Sequence, residues 1–303
     1  MNPLKWYRDA QLLERLPARY RAYAAYCRLA GDENSRRIPG GSFLLRALKT
    51  MSRATGLNTL VQLAGRDGLT VLADMADERI LDVIHEIRGE NPEHKILLAL
   101  LSRGDTFIDV GANYGTFALL SSRIVGAEGR VFAIEPQSDL AGLIAESLRL
   151  SKVENCVVVN RACGNSSGEF TLIVPADDRG RAGFFPEFSA RHDYSVHPVY
   201  VSSLDDLMSD AHLTGRVVIK IDVEGSEADV LSGAAAIISR HDPVILIELN
   251  PWSASAAGKS TDAVVNQLIE YGYTSFSLAQ QFPATTGRHS IPRDRQVNLI
   301  ARK

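Results

Sequence analysis

Charged side chains interrupt one of the most apolar stretches of the chain. Residues 217–225 are VVIKIDVEG, in which Lys220, Asp222 and Glu224 alternate with apolar side chains. A strand inside a parallel sheet is normally apolar throughout, and alternate residues of a strand share a face. Because an unpaired buried charge is costly, these groups either pair with one another or face a polar cleft. The functional interpretation places Asp222 against the reacting atoms. The structural alternative is a Lys–carboxylate pair, with Glu224 capping the next helix.

A glycine-rich turn follows an earlier apolar stretch. Residues 107–115 are FIDVGANYG, in which Asp109, Gly111 and Gly115 have the spacing Asp-x-Gly-x-x-x-Gly. Gly111 lets the backbone turn sharply and approach a ligand, and Gly115 allows close helix packing. Asn113 stands where a pyrophosphate-binding motif has its second glycine. The Asp109 carboxylate would repel a phosphate but suits a sulfonium, so the turn favours S-adenosylmethionine over NAD. The alternative is a strand-to-helix turn that binds nothing.

Polar groups also end the next two predicted strands. Glu135, which Pro136 follows, ends the second strand 24 residues after Gly111. A carboxylate at that place can accept hydrogen bonds from both ribose hydroxyls of an adenosine. Arg161 and Ala162 follow the third strand, where the adenine edge would lie. Suitable groups at successive strand ends therefore favour a ligand-binding turn.

A further pair of polar residues, Glu248 and Asn250, closes the strand expected at 244–248. Beside Asp222 they form an oxygen-rich corner that could position a hydroxyl group. The same corner could hold a divalent cation, with Asp222 and Glu248 as its ligands. The structural alternative for Glu248 is a salt bridge at the edge of the sheet.

The elements that must position these residues alternate between strand and helix. Apolar strands separated by amphipathic helices predict a doubly wound α/β fold with a largely parallel sheet. Two closely spaced final strands predict an antiparallel edge. Residues 164–202 interrupt the alternation, and within them the aromatic stretch 182–198 is either a lid over an acceptor or a packed loop. The strands are expected at 106–110, 130–134, 156–160, 169–174, 199–201, 217–221, 244–248, 273–278 and 297–301, and the helices at about 116–125, 138–150, 226–239 and 261–271.

The first 90 residues have a different character and predict a mainly helical extension. Helices are expected over 4–30 and 42–55, from a cap at Asp77 to 88, and over 92–103, the last beginning at the boundary, and a hairpin surrounds 65–68. Residues 1–60 contain 11 Lys and Arg against 4 Asp and Glu, whereas the remainder contains 22 against 32. The basic segment could contact the acidic body of the same chain, an oligomer partner, an acidic ligand or a membrane surface. No nucleic-acid-binding pattern accompanies this charge, so nucleic acid is not an expected partner.

The composition of the 303 residues, 45% hydrophobic and 23% charged, is that of a globular protein. The three cysteines form no CxxC pair, which argues against a disulfide framework or a zinc knuckle. The N-terminus lacks the apolar core of a signal peptide, and the longest apolar run, 96–101, is too short to span a membrane. These features predict a cytoplasmic protein.

Several blocks of the sequence, in order, resemble the FkbM-type S-adenosylmethionine-dependent methyltransferases. They are FIDVGANYGTFALL, VFAIEPQ, VVVNRACGN, VSSLDDLM, VVIKIDVEGSEADVLSGA and PVILIEL, within about residues 91–250, and the tail QVNLIARK resembles the closing strand of the family. The resemblance implies a Rossmann-like class I methyltransferase fold over 91–303, preceded by an extension over 1–90 to which the resemblance does not reach. It also implies O-methylation of a hydroxyl on a sugar, a glycan or a polyketide-like natural product.

Carried over by position, the resemblance also implies site residues. The catalytic role comes instead from the charged strand: an alcohol is a poor nucleophile, so Asp222 is the expected base or hydroxyl-orienting group, with Lys220 and Glu224 tuning it. Glu93 is expected to contact the methionine end of the donor. Two alternatives stay open: a donor-binding scaffold or regulatory subunit without activity, and an NAD-dependent oxidoreductase. The expected donor-binding residues are Glu93, Asp109, Gly111, Ala112, Asn113, Tyr114, Gly115, Glu135, Pro136, Arg161, Ala162 and Asp222.

Overall fold

A computed structural model describes residues 60–74, 77, 79–89, 91–176, 178–185 and 194–303. The helices expected over 4–30 and 42–55, and all but the last residue of the basic segment, lie outside these residues. The strands are β1 (Leu60–Ala64), β2 (Thr70–Asp74), β3 (Thr106–Val110), β4 (Arg130–Ile134), β5 (Cys156–Val159), β6 (Ala162–Cys163), β7 (Gly168–Pro175), β8 (Tyr194–Ser202), β9 (Val217–Ile221), β10 (Val244–Leu249), β11 (Ser275–Leu278) and β12 (Val297–Arg302). The helices are α1 (Ile80–Ile87), α2 (Pro92–Leu100), α3 (Thr116–Val125), α4 (Ser138–Leu150), α5 (Leu204–Leu207), α6 (Glu227–Ser232), α7 (Ala235–His241), α8 (Pro251–Ala256) and α9 (Thr261–Glu270).

A seven-stranded sheet with the order β11-β12-β10-β9-β3-β4-β5 forms the centre of the fold. The strands from β10 to β5 run parallel, whereas β12 is antiparallel to both β10 and β11. The predicted doubly wound, Rossmann-like α/β sheet with an antiparallel edge is therefore confirmed. The chain leaves β3 toward β4 and β5 on one side, and later adds β9 and β10 on the other. This reversal places the topological switch point between β3 and β9.

Helices cover both faces of the sheet and bury two apolar cores. The alternation of side chains along β3 sends Phe107 into the core that contains α1 to α4, and Ile108 and Val110 into the core that contains α6, α7 and α9. All five residues of β3 and of β9 are buried. Because both faces of these strands are buried, each strand appears in the sequence as a nearly continuous apolar run.

The hairpin β1–β2 packs on the same body. The backbone N–H groups of Thr70 and Leu72 donate to the hydroxyls of Ser151 and Ser147 at the end of α4, both at 2.9 Å. The apolar side chains of β1, β2 and α1 belong to the core that contains β3. The division of the chain near residue 90 stays a prediction. Within the described ranges, no helix is long and apolar enough to cross a membrane.

Most element boundaries follow the sequence prediction, and the differences have local causes. The helix for which Asp77 was the expected cap spans Ile80–Ile87, and the Asp77 side chain accepts the backbone N–H of Arg79 and the hydroxyl of Tyr114. The helix expected to reach 103 ends at Leu100, because the chain is extended at Leu101.

Two further differences lie in the second half of the chain. The single helix expected over 226–239 is two helices, α6 and α7, with Gly233 at the break, where an added Cβ would lie 2.1 Å from the carbonyl oxygen of Gly164. Helix α8 was not predicted, although Asn250 caps it and Pro251 begins it, a recognisable start signal.

Candidate active site

Two strand-to-helix turns meet at the switch point of the sheet. The backbone N–H of Asp222 donates to the carbonyl of Val110 at 3.0 Å, and that of Gly111 donates to the carbonyl of Ile134 at 3.0 Å. Gly111 has a φ of +85°, and a Cβ at this position would lie 1.9 Å from the carbonyl oxygen of Asp222. Glycine is therefore the residue that this close backbone approach requires.

A cavity opens at the carboxyl ends of these strands and contains about 780 Å³ of space, part of it continuous with solvent. The cavity gathers most of the residues that the sequence singled out. Those on its wall are Gly111, Ala112, Asn113, Glu135, Pro136, Arg161, Ala162, Lys220, Asp222 and Glu224.

Glu135 is held in one orientation by the backbone. Its Oε2 accepts the N–H of Asn113 at 2.8 Å, and its Oε1 accepts the N–H of Gln137 at 2.9 Å. Burial raises the pKa of Glu135 to about 7, although the two backbone hydrogen bonds oppose that shift. Each carboxylate oxygen has a second lone pair, so both can still accept a hydrogen bond from a ligand in the cavity.

Lys220 and Asp222 form the ion pair that the structural alternative describes. The Lys220 Nζ lies 2.9 Å from Asp222 Oδ2 and 4.0 Å from Asp109 Oδ1. Burial by itself would raise the pKa of Asp222, but Lys220 and Arg79 outweigh it and hold that pKa below its usual value. Burial raises the pKa of Asp109 to about 6, against the effect of Lys220. Asp222 is therefore ionised at neutral pH, and its charge is largely compensated.

Glu224 does not join this pair. Its backbone is in the left-handed region, with a φ of +48°, so the regular alternation of the strand has ended. Its Oε2 accepts the hydroxyl of Ser253 at 2.5 Å and the side-chain amide of Asn250 at 3.5 Å. Burial, reinforced by the charge of Asp222, raises the pKa of Glu224 to about 7. Two acids two residues apart thus have opposite pKa shifts.

Other residues singled out in the sequence lie behind the cavity wall. Asp109 is fully buried beneath the turn. Tyr114 donates its hydroxyl to Asp77, and Gly115 caps α3 against Ile144. The Glu93 carboxylate accepts a hydrogen bond from Asn298, and burial raises its pKa to about 7 despite the opposing effect of Lys220.

The residues named for a possible cation do not form a metal-binding cluster. Glu248 accepts a hydrogen bond from Gln296, and burial together with the charge of Asp222 raises its pKa well above the usual value. In the part of the chain that the structure describes, no three His, Cys, Asp or Glu side chains are grouped in a way that could hold a metal ion.

The cavity also contains residues that the sequence did not indicate. Arg79 and Glu86, from α1 and its N-cap, line it and pair at 3.0 Å, and Thr116 donates its hydroxyl to Glu86. Arg79 and Glu86 precede the recognisable motifs, so only the packing of α1 against the sheet brings them to the site.

A short segment, 178–185, follows β7, which pairs antiparallel with β8, and contributes to the cavity wall. Gln137 donates its side-chain amide to the carbonyl of Arg179 at 3.1 Å, and the Arg179 guanidinium pairs with Asp139 at 2.6 Å. Arg179, Ala182 and Phe184 line the cavity. Gln137 directly follows Glu135 and Pro136, which the sequence singled out. This position was the signal in the sequence for its contact with Arg179. Residues 186–193 of the stretch 182–198 lie outside the described residues, so the choice between a lid and a packed loop stays a prediction.

The sequence of this part of the chain is similar to the sequences of known proteins. The family model of the methyltransferase FkbM domain matches residues 109–275, more than half of the chain. The hexuronic acid methyltransferase AglP of Haloferax volcanii is 29% identical over 165 residues, which are 54% of this chain and 64% of that protein. The match therefore spans less than two thirds of the curated relative.

Solved structures also resemble the fold. The methyltransferase FkbM from Methylobacillus flagellatus KT has a TM-score of 0.44 and 20% identity, covering 74% of this chain and 53% of that one. A SAM-dependent methyltransferase from Aquifex aeolicus has a TM-score of 0.41 and 14% identity, covering 75% and 94%.

Proposed function

Because the chain belongs to the FkbM methyltransferase family, we propose that it transfers a methyl group from S-adenosylmethionine to a hydroxyl group of a sugar, and of a sugar acid in particular. The observation that carries the proposal is the cavity at the switch point. There the Gly111 turn, the fixed Glu135 carboxylate and the Lys220–Asp222 pair form one continuous wall. The donor supplies an activated methyl group, so the protein mainly aligns the acceptor oxygen, the methyl carbon and the sulfur.

The polar groups on the cavity wall match the hydroxyl groups and the positive charge of S-adenosylmethionine. Both oxygens of Glu135 can accept the ribose hydroxyls of an adenosine, and Arg161 and Ala162 lie beyond it, where the base would extend. A positively charged sulfonium suits a wall on which Glu135 and Glu224 are held by hydrogen bonds rather than by cations. In this proposal Gly111, Ala112 and Asn113 contact the donor, Asp222 lies at its methionine end, and Asp109 and Gly115 support the turn from behind.

The acceptor class rests on the relative and on the cavity. The relative from Haloferax volcanii is named as a hexuronic acid methyltransferase. Here, α1 and the segment 178–185 add Arg79, Arg179 and Phe184 to the wall, a mixture of cationic and aromatic groups suited to a polar ring. A hydroxyl-bearing natural product of the polyketide type is the other acceptor class. Membrane contact through residues 1–60, assembly into a homo-oligomer and a cytoplasmic location stay predictions.

Thermal unfolding with and without S-adenosylhomocysteine tests donor binding, with NADH as the comparison ligand. At 100 times its dissociation constant, a ligand adds about 2.7 kcal/mol of stability, which raises the Tm by several degrees for a chain of this size. We expect the shift with S-adenosylhomocysteine alone. A shift with NADH alone would refute the proposal in favour of an oxidoreductase.

A turnover assay tests the reaction itself. The full chain is incubated with labelled S-adenosylmethionine and a panel of methyl glycosides, neutral and uronic, and the methylated product is detected by mass spectrometry. We expect O-methylation of a uronic glycoside. Donor binding without turnover on any hydroxyl acceptor would instead indicate a non-catalytic scaffold or regulatory subunit.

A further inference from the structure

Methyl transfer to an alcohol releases a proton, and the site offers two carboxylates that could take it. The sequence pointed to Asp222, but the structure places its Oδ2 2.9 Å from the Lys220 ammonium group. The nearby guanidinium of Arg79 compensates its charge further. A carboxylate stabilised in this way is a weak base. Asp222 also stands at the backbone contact with Gly111, so its position suits donor binding.

Glu224 has the geometry that Asp222 lacks. Its side chain is half-buried and lines the cavity. Ser253 and Asn250 both donate hydrogen bonds to Oε2 of Glu224. Among the described residues, no hydrogen bond to Oε1 is present. The left-handed backbone of Glu224 is uncommon for a residue with a side chain and, where it occurs, often marks a functional site.

We propose that Glu224 is the general base that accepts the proton of the acceptor hydroxyl during methyl transfer. The inference rests on the proposed function and names one residue of its mechanism. The hydroxyl oxygen attacks the methyl carbon, the carbon–sulfur bond breaks, and its electron pair stays on sulfur as the neutral thioether of S-adenosylhomocysteine. The hydroxyl proton passes to the Glu224 carboxylate, which later returns it to solvent.

The surroundings of Glu224 favour this role. The cations Lys220, Arg79 and Arg179 line the same cavity, where Lys220 and Arg79 act on Asp222. The charged groups that act most strongly on Glu224 itself are the acids Asp222, Glu227 and Asp178, from its own turn, from α6 and from the segment 178–185. Together with burial they raise the pKa of Glu224 to about 7, against the hydrogen bond from Ser253. A carboxylate with such a pKa is both a stronger base than Asp222 and still partly ionised at neutral pH.

The test uses the full chain with saturating S-adenosylmethionine and methyl β-D-glucuronoside as the probe acceptor. Calorimetry with S-adenosylhomocysteine measures donor binding separately. We expect Glu224→Gln to keep donor affinity and to lose about 100-fold or more in kcat. Asp222→Asn should instead weaken donor binding. The matched control is Glu169→Gln, the same substitution on the exposed face of β7, which should change neither.

The pH profile separates a base from a structural residue. Wild-type kcat should rise with pH through an inflection near 7, and Glu224→Gln should lose that inflection. Ser253→Ala removes the hydroxyl that stabilises the ionised form, so the inflection should move upward by about one pH unit. Equal kcat in wild type and Glu224→Gln, or an inflection that Ser253→Ala leaves in place, would overturn the assignment.

A titration of the Glu224 carboxyl group tests its assignment as the base without any acceptor. The 13C carboxyl signal of Glu224, identified by its loss in Glu224→Gln, should titrate near 7, and a midpoint in the normal range of glutamate, about 4.3, would overturn the inference. Failure of the wild-type chain to bind S-adenosylhomocysteine is a different result, because it would overturn the proposed function itself.

Discussion

Replacing Gly111 by alanine tests whether the meeting of two backbone turns builds the donor site. A Cβ at this position would lie 1.9 Å from the carbonyl oxygen of Asp222 and 3.0 Å from its carbonyl carbon. Both atoms belong to the backbone, so no side-chain rotation can relieve the overlap. The φ of +85° adds strain for any residue with a Cβ.

The expected cost follows from these contributions. The left-handed conformation costs about 1–2 kcal/mol, and forcing an extra carbon into a packed site costs about 1–3 kcal/mol. Restriction of the unfolded chain offsets about 0.4–1 kcal/mol. The net loss in the free energy of unfolding for Gly111→Ala is therefore about 3 kcal/mol. The turns must also separate, which moves Asp222 away from the cavity wall and weakens donor binding.

Two other glycines provide matched controls. Gly104 has a φ of +87° but no atom within 4 Å of an added Cβ, so Gly104→Ala isolates the conformational cost. Gly142 in α4 has neither a positive φ nor a neighbour within 4 Å. An alanine there should stabilise the chain by about 0.5–1 kcal/mol, because alanine favours the helix.

Urea unfolding and calorimetry with S-adenosylhomocysteine measure the two effects. Gly142→Ala should be the most stable protein, followed by wild type, then by Gly104→Ala and finally by Gly111→Ala. Donor affinity should fall in Gly111→Ala alone. If Gly111→Ala is as stable as Gly104→Ala and binds the donor product normally, the close approach of the two turns does not shape the site.

Further predictions concern ionisation and buried pairs. Ribose hydroxyls would donate to ionised Glu135, so affinity for S-adenosylhomocysteine should fall as the pH drops below about 7. The fall should be up to about tenfold per pH unit. Calorimetry should find no such dependence in Glu135→Gln. Lys220→Met leaves the fully buried Asp109 and the partly exposed Asp222 without their buried cation and should cost about 3–5 kcal/mol in urea unfolding. The control Lys259→Met breaks a pair whose side chains are about 30% exposed and should cost less than about 1 kcal/mol; equal losses would contradict the role of burial. Tyr114→Phe removes the hydroxyl that donates to Asp77 at 2.9 Å and should cost about 1–3 kcal/mol, so an unchanged urea midpoint would refute that contact's importance.

The sequence alone determined the elements whose causes are local. Strands β3, β4 and β9 coincide with apolar runs that end at polar or glycine residues, and α4 was predicted to the residue. Asn91 followed by Pro92 marked the start of α2, and Asn91 accepts the expected N-terminal hydrogen bond. Burial periodicity and capping act over a few residues, so they are visible in a single sequence.

Tertiary structure decided which groups meet and how each one ionises. The sequence placed Lys220, Asp222 and Glu224 together, but the turn after β9 separates Glu224 from the pair and carries it to Ser253. Arg79 reaches the cavity only because α1 packs against the sheet. A pKa depends on burial and on charges from distant elements, so the opposite shifts of Asp222 and Glu224 required the folded chain.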